Sequence, residues 1–243
     1  MGSSNNWRSF CVRLNRLRPE FRFILIDLRN HGRSPASSSK NTIRGCAEDL
    51  IDLSTEVGEP DILIGHSFSG KVVLDYAGLA NPEQVWALDS PPGASMKGHL
   101  SSEVQQILSA LWEVPMPLDD RFGLKKILVD KGFKTSVAEW MITNLRPHQG
   151  GFIWRFHLPG IEEMIADYYK RDMWPIVERI NNPVDVRIVR ASKSDRWSTS
   201  ELNNFNKLNG SGRAHLLEKA GHWLHVDNMP GLQMMLMKNL SEI

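Results

Sequence analysis

The sequence predicts an α/β fold in which a mostly parallel sheet is flanked by helices, with a helical insertion in the middle of the chain. Three observations indicate this fold class. Short apolar runs alternate with segments of helical periodicity in the first part of the chain, and the same alternation resumes at Val184. The stretch between them has helical periodicity and little strand signal. Strands that alternate with helices form parallel sheets joined by crossover helices.

The first part of the chain contains three apolar runs of strand length. Thr42 opens a segment of helical spacing that ends at Gly58, and a second helix is predicted over Gly70 to Ala80, before Asn81-Pro82. The runs are rich in Ile, Val and Phe and are bounded by turn residues, which is typical of buried strands. Strands are therefore predicted at Phe21–Leu28, Asp61–Ile64 and Gln84–Leu88.

The last part of the chain repeats the pattern. Val184–Val189 and Ala214–Glu218 are predicted strands, and Ser198–Leu208 is a predicted helix between them. Val226–Ile243 carries Leu and Met side chains on one face and is predicted to be a closing helix. These segments complete an α/β core formed by residues 1–92 and 179–243.

Residues 93–178 are predicted to be a helical insertion that lies over the sheet as a cap. Apolar residues recur at helical spacing, for example at Val104, Ile107 and Leu111. This stretch contains four of the eight tryptophans of the chain, Trp112, Trp140, Trp154 and Trp174. The alternative is a further set of core helices.

Composition excludes several classes of protein. Apolar residues make up 41% and charged residues 23%, as in an ordinary globular protein, and the formal net charge is +1. That charge argues against a protein that binds nucleic acid or a membrane surface through bulk charge. Two cysteines, Cys11 and Cys46, are too few for a disulfide framework. No apolar run approaches the ~18 residues that span a bilayer, and no pair of histidines has metal-ligand spacing.

A serine stands where a predicted strand meets a predicted helix. Ile64-Gly65-His66-Ser67-Phe68-Ser69-Gly70 has the strand–turn–helix context of a nucleophile elbow, in which a sharp turn holds the serine hydroxyl above the sheet. The N-terminus of the following helix favours negative charge at this point, and the backbone N–H of Phe68 is a candidate oxyanion donor. Ser69 replaces the last glycine of the G-x-S-x-G pattern, and we expect a modest steric cost.

A nucleophilic serine needs a base, and the base needs an orienting acid. His222 follows Gly221 on the loop after the last predicted strand and is the natural base. Asp195 lies just beyond the C-terminal end of the strand Val184–Val189, where sites in open α/β sheets form. Asp89 follows the strand Gln84–Leu88 and is a rival acid. The sequence favours Asp195 as the acid and leaves Asp89 open.

These motifs resemble those of the α/β-hydrolase superfamily. More closely, the chain resembles small capped serine esterases of the abhydrolase-domain type, which open with an H-G-x-x-G-S-S-x-N-W block. The motifs that carry the resemblance run across nearly the whole chain. They are Gly2–Trp7, the D-x-R-N-H-G-x-S turn at Asp27–Ser34, the elbow at Gly65–Gly70, cap residues Thr143–Leu145 and Gly151–Arg155, and the histidine loop at Ala220–Trp223.

The resemblance implies an N-terminally truncated form. In the family, the His-Gly of the opening block ends a strand, and the next residue gives a second oxyanion N–H, whereas this sequence begins at Met1-Gly2. The family's third strand would lie between the strands at Phe21–Leu28 and Asp61–Ile64. We therefore expect a gap or rearranged pairing in the sheet. The loss of one oxyanion donor would cost about 10²–10³ in turnover.

The resulting functional prediction is a serine hydrolase that cleaves a carboxylic ester or thioester of a small molecule through a Ser67-His222-Asp195 triad. No cofactor or metal is expected, and neither is a nucleic-acid partner or a membrane span; the chain is expected to be a monomer. The compartment is left open. We expect Trp154 and Trp112 to line the acyl pocket. A ligand-binding receptor on the same fold and an inactive truncated homologue are the alternatives.

Overall fold

The computed structural model describes residues 1–94, 102–179 and 183–241. These residues form a four-stranded parallel sheet and a separate two-stranded antiparallel sheet. The strands are β1 (Ile62–His66), β2 (Gln84–Leu88), β3 (Leu145–His148), β4 (Gly151–Trp154), β5 (Asp185–Ala191) and β6 (Ala214–Leu217). The parallel sheet has the strand order β1-β2-β5-β6, and β3 and β4 form the antiparallel sheet. The α/β class predicted from the sequence is confirmed.

Helices cover both faces of the parallel sheet. α2 (Ile43–Val57) and α3 (Phe68–Ala77) pack on one face, and α1 (Asn5–Leu17) and α11 (Met229–Asn239) pack on the other. All five residues of β2 are buried, as expected for a strand covered on both sides. The core helices are α1 (Asn5–Leu17), α2 (Ile43–Val57), α3 (Phe68–Ala77), α9 (Thr199–Lys207), α10 (Leu224–Asp227) and α11 (Met229–Asn239).

Local chemistry sets the helix boundaries. Thr42 accepts a hydrogen bond from the backbone N–H of Gly45 and so caps α2, as its position before the apolar segment suggested. The predicted closing helix, Val226–Ile243, is instead two helices within the described residues. Asn228 breaks it, because its side chain accepts from the N–H of Gly231 and starts α11, with Pro230 in its first turn.

The segment between β2 and β5 folds around its own apolar core. That core includes Leu108, Leu124, Met141 and Ile161. We call the described part of this segment, residues 102–179, the insertion. Its elements are α4 (Ser102–Glu113), α5 (Arg121–Asp130), α6 (Thr135–Ile142), the β3-β4 hairpin, α7 (Leu158–Lys170) and α8 (Trp174–Val177). Residues 95–101 of the predicted insertion lie outside the described residues.

The predicted strand at Phe21–Leu28 is wrong. The segment is extended, but it belongs to no strand, and Ile24, Leu25 and Ile26 are 44%, 39% and 41% exposed. A strand exists only where its backbone groups have partners. Within the described residues, the backbone of Phe23 to Ile26 makes no hydrogen bond. The segment and β1, the outer strand of the described sheet, line one cavity of about 1650 Å³.

The parallel arrangement brings the chain segments that follow all four strands to one edge of the sheet. The register sets His66 opposite Leu88 and Leu88 opposite Val189. The residues that follow β1, β2, β5 and β6 therefore emerge on the same side, where ligand sites of open α/β sheets form. No helix in the described part of the chain is long and apolar enough to span a bilayer.

Candidate active site

Ser67 lies in a strained turn between β1 and α3. Its backbone has φ 55° and ψ −118°, an uncommon conformation for a residue with a side chain. Gly65 allows β1 and α3 to cross closely, and Gly70 allows α3 to approach the segment that follows β2. A Cβ on Gly65 would lie 2.1 Å from the carbonyl oxygen of Ser69, and a Cβ on Gly70 would lie 2.3 Å from the Cβ of Ser90. The sequence between Gly65 and Gly70 thus has the strand–turn–helix backbone geometry that is typical of a nucleophile elbow.

Ser69 fits the elbow without the glycine of the usual pattern. Its hydroxyl donates to the carbonyl of His66 at 2.9 Å and accepts from the N–H of His66 at 2.9 Å. The expected steric cost is offset because the hydroxyl satisfies both backbone groups of the strand residue before Ser67.

His222 lies within hydrogen-bond distance of Ser67. The Ser67 hydroxyl donates to Nε2 of His222, with Oγ and Nε2 3.0 Å apart. The loop that carries the histidine is held on both sides. The N–H of Gly221 donates to Asp227, and Nε2 of His66 donates to the backbone carbonyl of His222 at 2.7 Å. The structure therefore brings together the predicted nucleophile and the predicted base.

Asp89, and not Asp195, contacts His222. Nδ1 of His222 donates to Oδ2 of Asp89 at 2.8 Å, and the Asp89 side chain is fully buried. The side chain of Asp195 is 70% exposed and pairs with Arg196. The expectation that Asp195 meets His222 is thus contradicted. Asp89 follows β2 directly, next to the strand of Ser67, whereas Asp195 lies four residues past the end of β5 and its side chain is exposed.

The loop that carries Asp195 contributes through its neighbours. Ser194 donates its hydroxyl to Oδ2 of Asp89 at 2.6 Å, and the indole N–H of Trp197 donates to Oδ1 at 2.8 Å. The N–H of Ala191 donates to Oδ1 at 3.1 Å. Sequence reasoning found this loop but missed these two side chains, because a serine and a tryptophan beside an aspartate carry no signal that they orient a different carboxylate.

The surroundings keep Asp89 ionised. Burial raises the pKa of this carboxyl, but the hydrogen bonds from His222, Ser194 and Trp197 outweigh burial, and the pKa lies below its usual range. A buried carboxylate in this state holds the imidazole with its proton on Nδ1 and leaves Nε2 free to accept from Ser67.

The backbone N–H of Phe68 follows Ser67 directly at the start of α3. Phe68 is the first residue of α3, and its N–H has no acceptor among the described residues. An unpaired N–H at a helix N-terminus is suited to stabilise an oxyanion, as the sequence suggested. Met1, Gly2, Ser3 and Ser4 line the cavity that contains Ser67.

The cavity beside Ser67 has an apolar wall from the insertion. Ile107, Val137, Trp140 and Ile161 line it, and the Trp140 ring lies 4.9 Å from that of Trp223. The tryptophans expected there lie elsewhere. Trp154 stacks on Phe156, with ring centroids 5.0 Å apart, and Trp112 is 52% exposed and donates to Glu162. Both predictions about them are corrected: Trp154 lies at the end of strand β4, which the sequence did not predict, and for Trp112 helical spacing does not tell which face of α4 meets the sheet.

Two further histidines pack around the site. His66 lies with its ring centroid 4.7 Å from that of His222, and His225 stacks on Trp7 at 4.1 Å. Burial lowers the pKa of His66 to about 3 and that of His225 to about 4. Both are therefore neutral above about pH 5. No cluster of potential metal ligands occurs in the described ranges.

These buried histidines predict acid sensitivity of the fold. An unfolded histidine titrates near pH 6.5, so between that pH and 4 the unfolded chain binds more protons, and the free energy of unfolding should fall as pH falls. Denaturant unfolding at pH 7, 5.5 and 4.5 measures the free energy of unfolding at each pH. His66→Gln should flatten the dependence, and the exposed His148→Gln should leave it unchanged. Equal slopes in wild type and His66→Gln would contradict the prediction.

The parallel sheet, the serine turn after β1 and the histidine loop after β6 define the class of α/β hydrolases. The chain belongs to the alpha/beta hydrolase family, whose model matches residues 2–232. This agrees with the resemblance seen in the sequence motifs.

Relatives and solved structures are consistent with that family. The chain is 26% identical over 236 residues to "sn-1-specific diacylglycerol lipase ABHD11" of Mus musculus, covering 93% of this chain and 73% of the relative. It is 24% identical over 211 residues to "Esterase YbfF" of Escherichia coli K12, covering 84% and 76%. A solved "Marine microorganism esterase" superposes with a TM-score of 0.84 at 22% identity, covering 98% of this chain and 91% of that one. The homologues are named as esterases and lipases, which supports the interpretation of this chain as a hydrolase.

Proposed function

We propose that this protein is a serine hydrolase that cleaves carboxylic esters through an acyl-enzyme, with Ser67 as nucleophile, His222 as base and Asp89 as orienting acid. The observation that supports it most is the continuous chain of hydrogen bonds from Asp89 through His222 to Ser67 at a strained turn. This is the geometry by which nucleophile, base and acid are recognised on unrelated folds.

In the first half-reaction, Oγ of Ser67 attacks the ester carbonyl carbon while Nε2 of His222 takes the hydroxyl proton. The Phe68 N–H donates to the oxygen that becomes negative in the tetrahedral intermediate. When the intermediate collapses, the bond to the alcohol oxygen breaks, and His222 gives its proton to the leaving alcohol.

In the second half-reaction, water attacks the acyl-enzyme and His222 again takes and returns the proton, so that the acid leaves and Ser67 is restored. Asp89 remains ionised throughout and stabilises the imidazolium that forms twice per turnover. Apart from the attacking water, these steps use side chains and backbone groups of this chain, and a thioester would follow the same path.

We also propose that the insertion, with predicted bounds 93–178, acts as a cap that holds the acyl group. Its residues Ile107, Val137, Trp140 and Ile161 give the cavity beside Ser67 an apolar wall. An apolar wall next to a nucleophile favours an acyl chain over a charged substrate. A small-molecule acyl ester, including a glycerolipid such as the name of the mouse relative mentions, fits this chemistry.

Hydrolysis of p-nitrophenyl acetate, butyrate and octanoate by the wild-type chain tests the proposal. Saturable release of p-nitrophenol is expected for each ester, and a panel with diacylglycerol and acyl thioesters then ranks the leaving groups. The matched p-nitroanilides should release nothing at the same enzyme concentration. Binding of the esters without turnover would instead support the receptor alternative and contradict the proposal.

A further inference from the structure

Lys71 connects α3 to the segment that follows β2 and to the C-terminal part of the insertion. Its side chain is 1% exposed, and Nζ donates to the backbone carbonyls of Gly93 at 2.7 Å, Tyr168 at 2.8 Å and Arg171 at 2.7 Å. Gly93 lies where the chain leaves the core after β2, and Tyr168 and Arg171 lie at the end of α7, where the chain returns. One side chain thus holds the outgoing and the returning segments together.

The site around Lys71 suits an ammonium group. An ammonium has three N–H donors, and three carbonyls accept them. Burial lowers the pKa of Lys71 to about 8, so the group remains charged at pH 7. Nζ also lies 4.3 Å from the centroid of the Tyr168 ring.

Acidic groups complete the surroundings of this charge. Glu201, Asp172 and Asp167 act electrostatically on Lys71. Glu201 is buried, accepts from the N–H of Gly93 at 3.2 Å and accepts from the indole N–H of Trp174 at 3.1 Å. The Gly93 peptide is therefore held through its N–H by the acid and through its carbonyl by the lysine.

The connection leads directly to the candidate active site. Lys71 lies four residues after Ser67, in the first turns of α3. The Tyr168 ring, whose backbone carbonyl Lys71 holds, lies 5.9 Å from the ring of Phe68 at an interplanar angle of 31°. Lys71 itself is not among the residues that line the cavity of Ser67.

We propose that Lys71 is a positioning residue that fixes the insertion against the nucleophile elbow and thereby determines the selectivity for acyl-chain length without touching the substrate. The part of the inference that concerns acyl-chain selectivity rests on the proposed ester hydrolysis. The part that concerns the position of the insertion rests on the geometry around Lys71 alone. A lysine without a structural task would not be buried with all three donors on backbone carbonyls.

Lys71→Met tests the proposal, because methionine has a similar length but no charge and no donor. We expect amide hydrogen exchange to rise about tenfold or more in peptides from residues 102–179, with little change in β2 and β5. We expect kcat/KM for p-nitrophenyl octanoate to fall about tenfold relative to acetate, mainly through KM. Lys207→Met, at an exposed lysine of α9, is the matched control and should resemble wild type.

Unchanged exchange in the insertion together with an unchanged octanoate-to-acetate ratio would overturn the proposal. If Lys71→Met does not fold, Lys71→Arg is used in its place, since arginine retains the charge. For Lys71→Arg we expect a smaller rise in amide exchange that is confined to residues 102–179. A rise in exchange spread over the core would overturn the proposal. Exchange is read without any substrate. The exchange experiment therefore tests the role of Lys71 even if the wild-type chain does not hydrolyse esters, and the two failures can be told apart.

Discussion

Replacing Asp89 with asparagine is expected to lower kcat by about 10⁴-fold, with little change in KM. An asparagine amide fits the site of the carboxylate but donates to Nδ1 of His222, which places the imidazole proton on Nε2. The histidine then cannot accept from Ser67. Steady-state hydrolysis of p-nitrophenyl butyrate measures the effect, and circular dichroism shows that the variant is folded.

Asp195→Asn is the matched control for Asp89→Asn. It makes the same chemical change on a neighbouring loop, at a side chain that is 70% exposed and pairs only with Arg196 among the contacts described for it. We expect kcat within about twofold of wild type, because exposed ion pairs contribute little. The opposite order, with Asp195→Asn inactive and Asp89→Asn active, would show that the acid is the one favoured by the sequence.

Ser67→Ala is expected to lower kcat by about 10⁶-fold, since alanine leaves no nucleophile for acylation. Substrate binding should survive, because the cavity and the Phe68 N–H are unchanged. Stopped assays at high enzyme concentration with p-nitrophenyl butyrate measure the residual rate. Ser200→Ala, at an exposed serine of α9, should be fully active.

The double variant Ser67→Ala/His222→Ala sharpens this result. Residues that act as one unit show non-additive losses, so the double variant should be no slower than Ser67→Ala alone. Additive losses would mean that His222 acts independently of Ser67, which would contradict the proposed mechanism.

The sequence predicted those parts of the fold that local patterning determines. β2 has the predicted bounds, Gln84–Leu88, because a short apolar run between turn residues is buried on both faces. The segment at Phe21–Leu28 has the same pattern but forms no strand, because a strand also needs a backbone partner. The β3-β4 hairpin was missed, since its turn at Gln149-Gly150, with both residues at positive φ, lies in a stretch dominated by helical spacing.

The candidate site was predictable where residues are close in sequence. Ser67 and its glycines are a local motif, and the loop after the last strand offered His222. The acid depended on strand order, which the sequence does not specify. β2 lies between β1 and β5, so the residue that follows β2 emerges beside Ser67, whereas the residues that directly follow β5 emerge one strand further away; Asp89 itself has a positive φ of 43°.

The most direct test of the account is covalent labelling of the wild-type chain with a fluorophosphonate probe, read by intact mass and peptide mapping. Fluorophosphonates phosphonylate a serine only when a neighbouring base activates it. We predict one probe per chain, attached to Ser67, with no adduct in Ser67→Ala and much slower labelling in His222→Ala. No adduct in the folded wild-type chain, or an adduct on Ser69 or another serine, would contradict the claim that Ser67, His222 and Asp89 form a working triad.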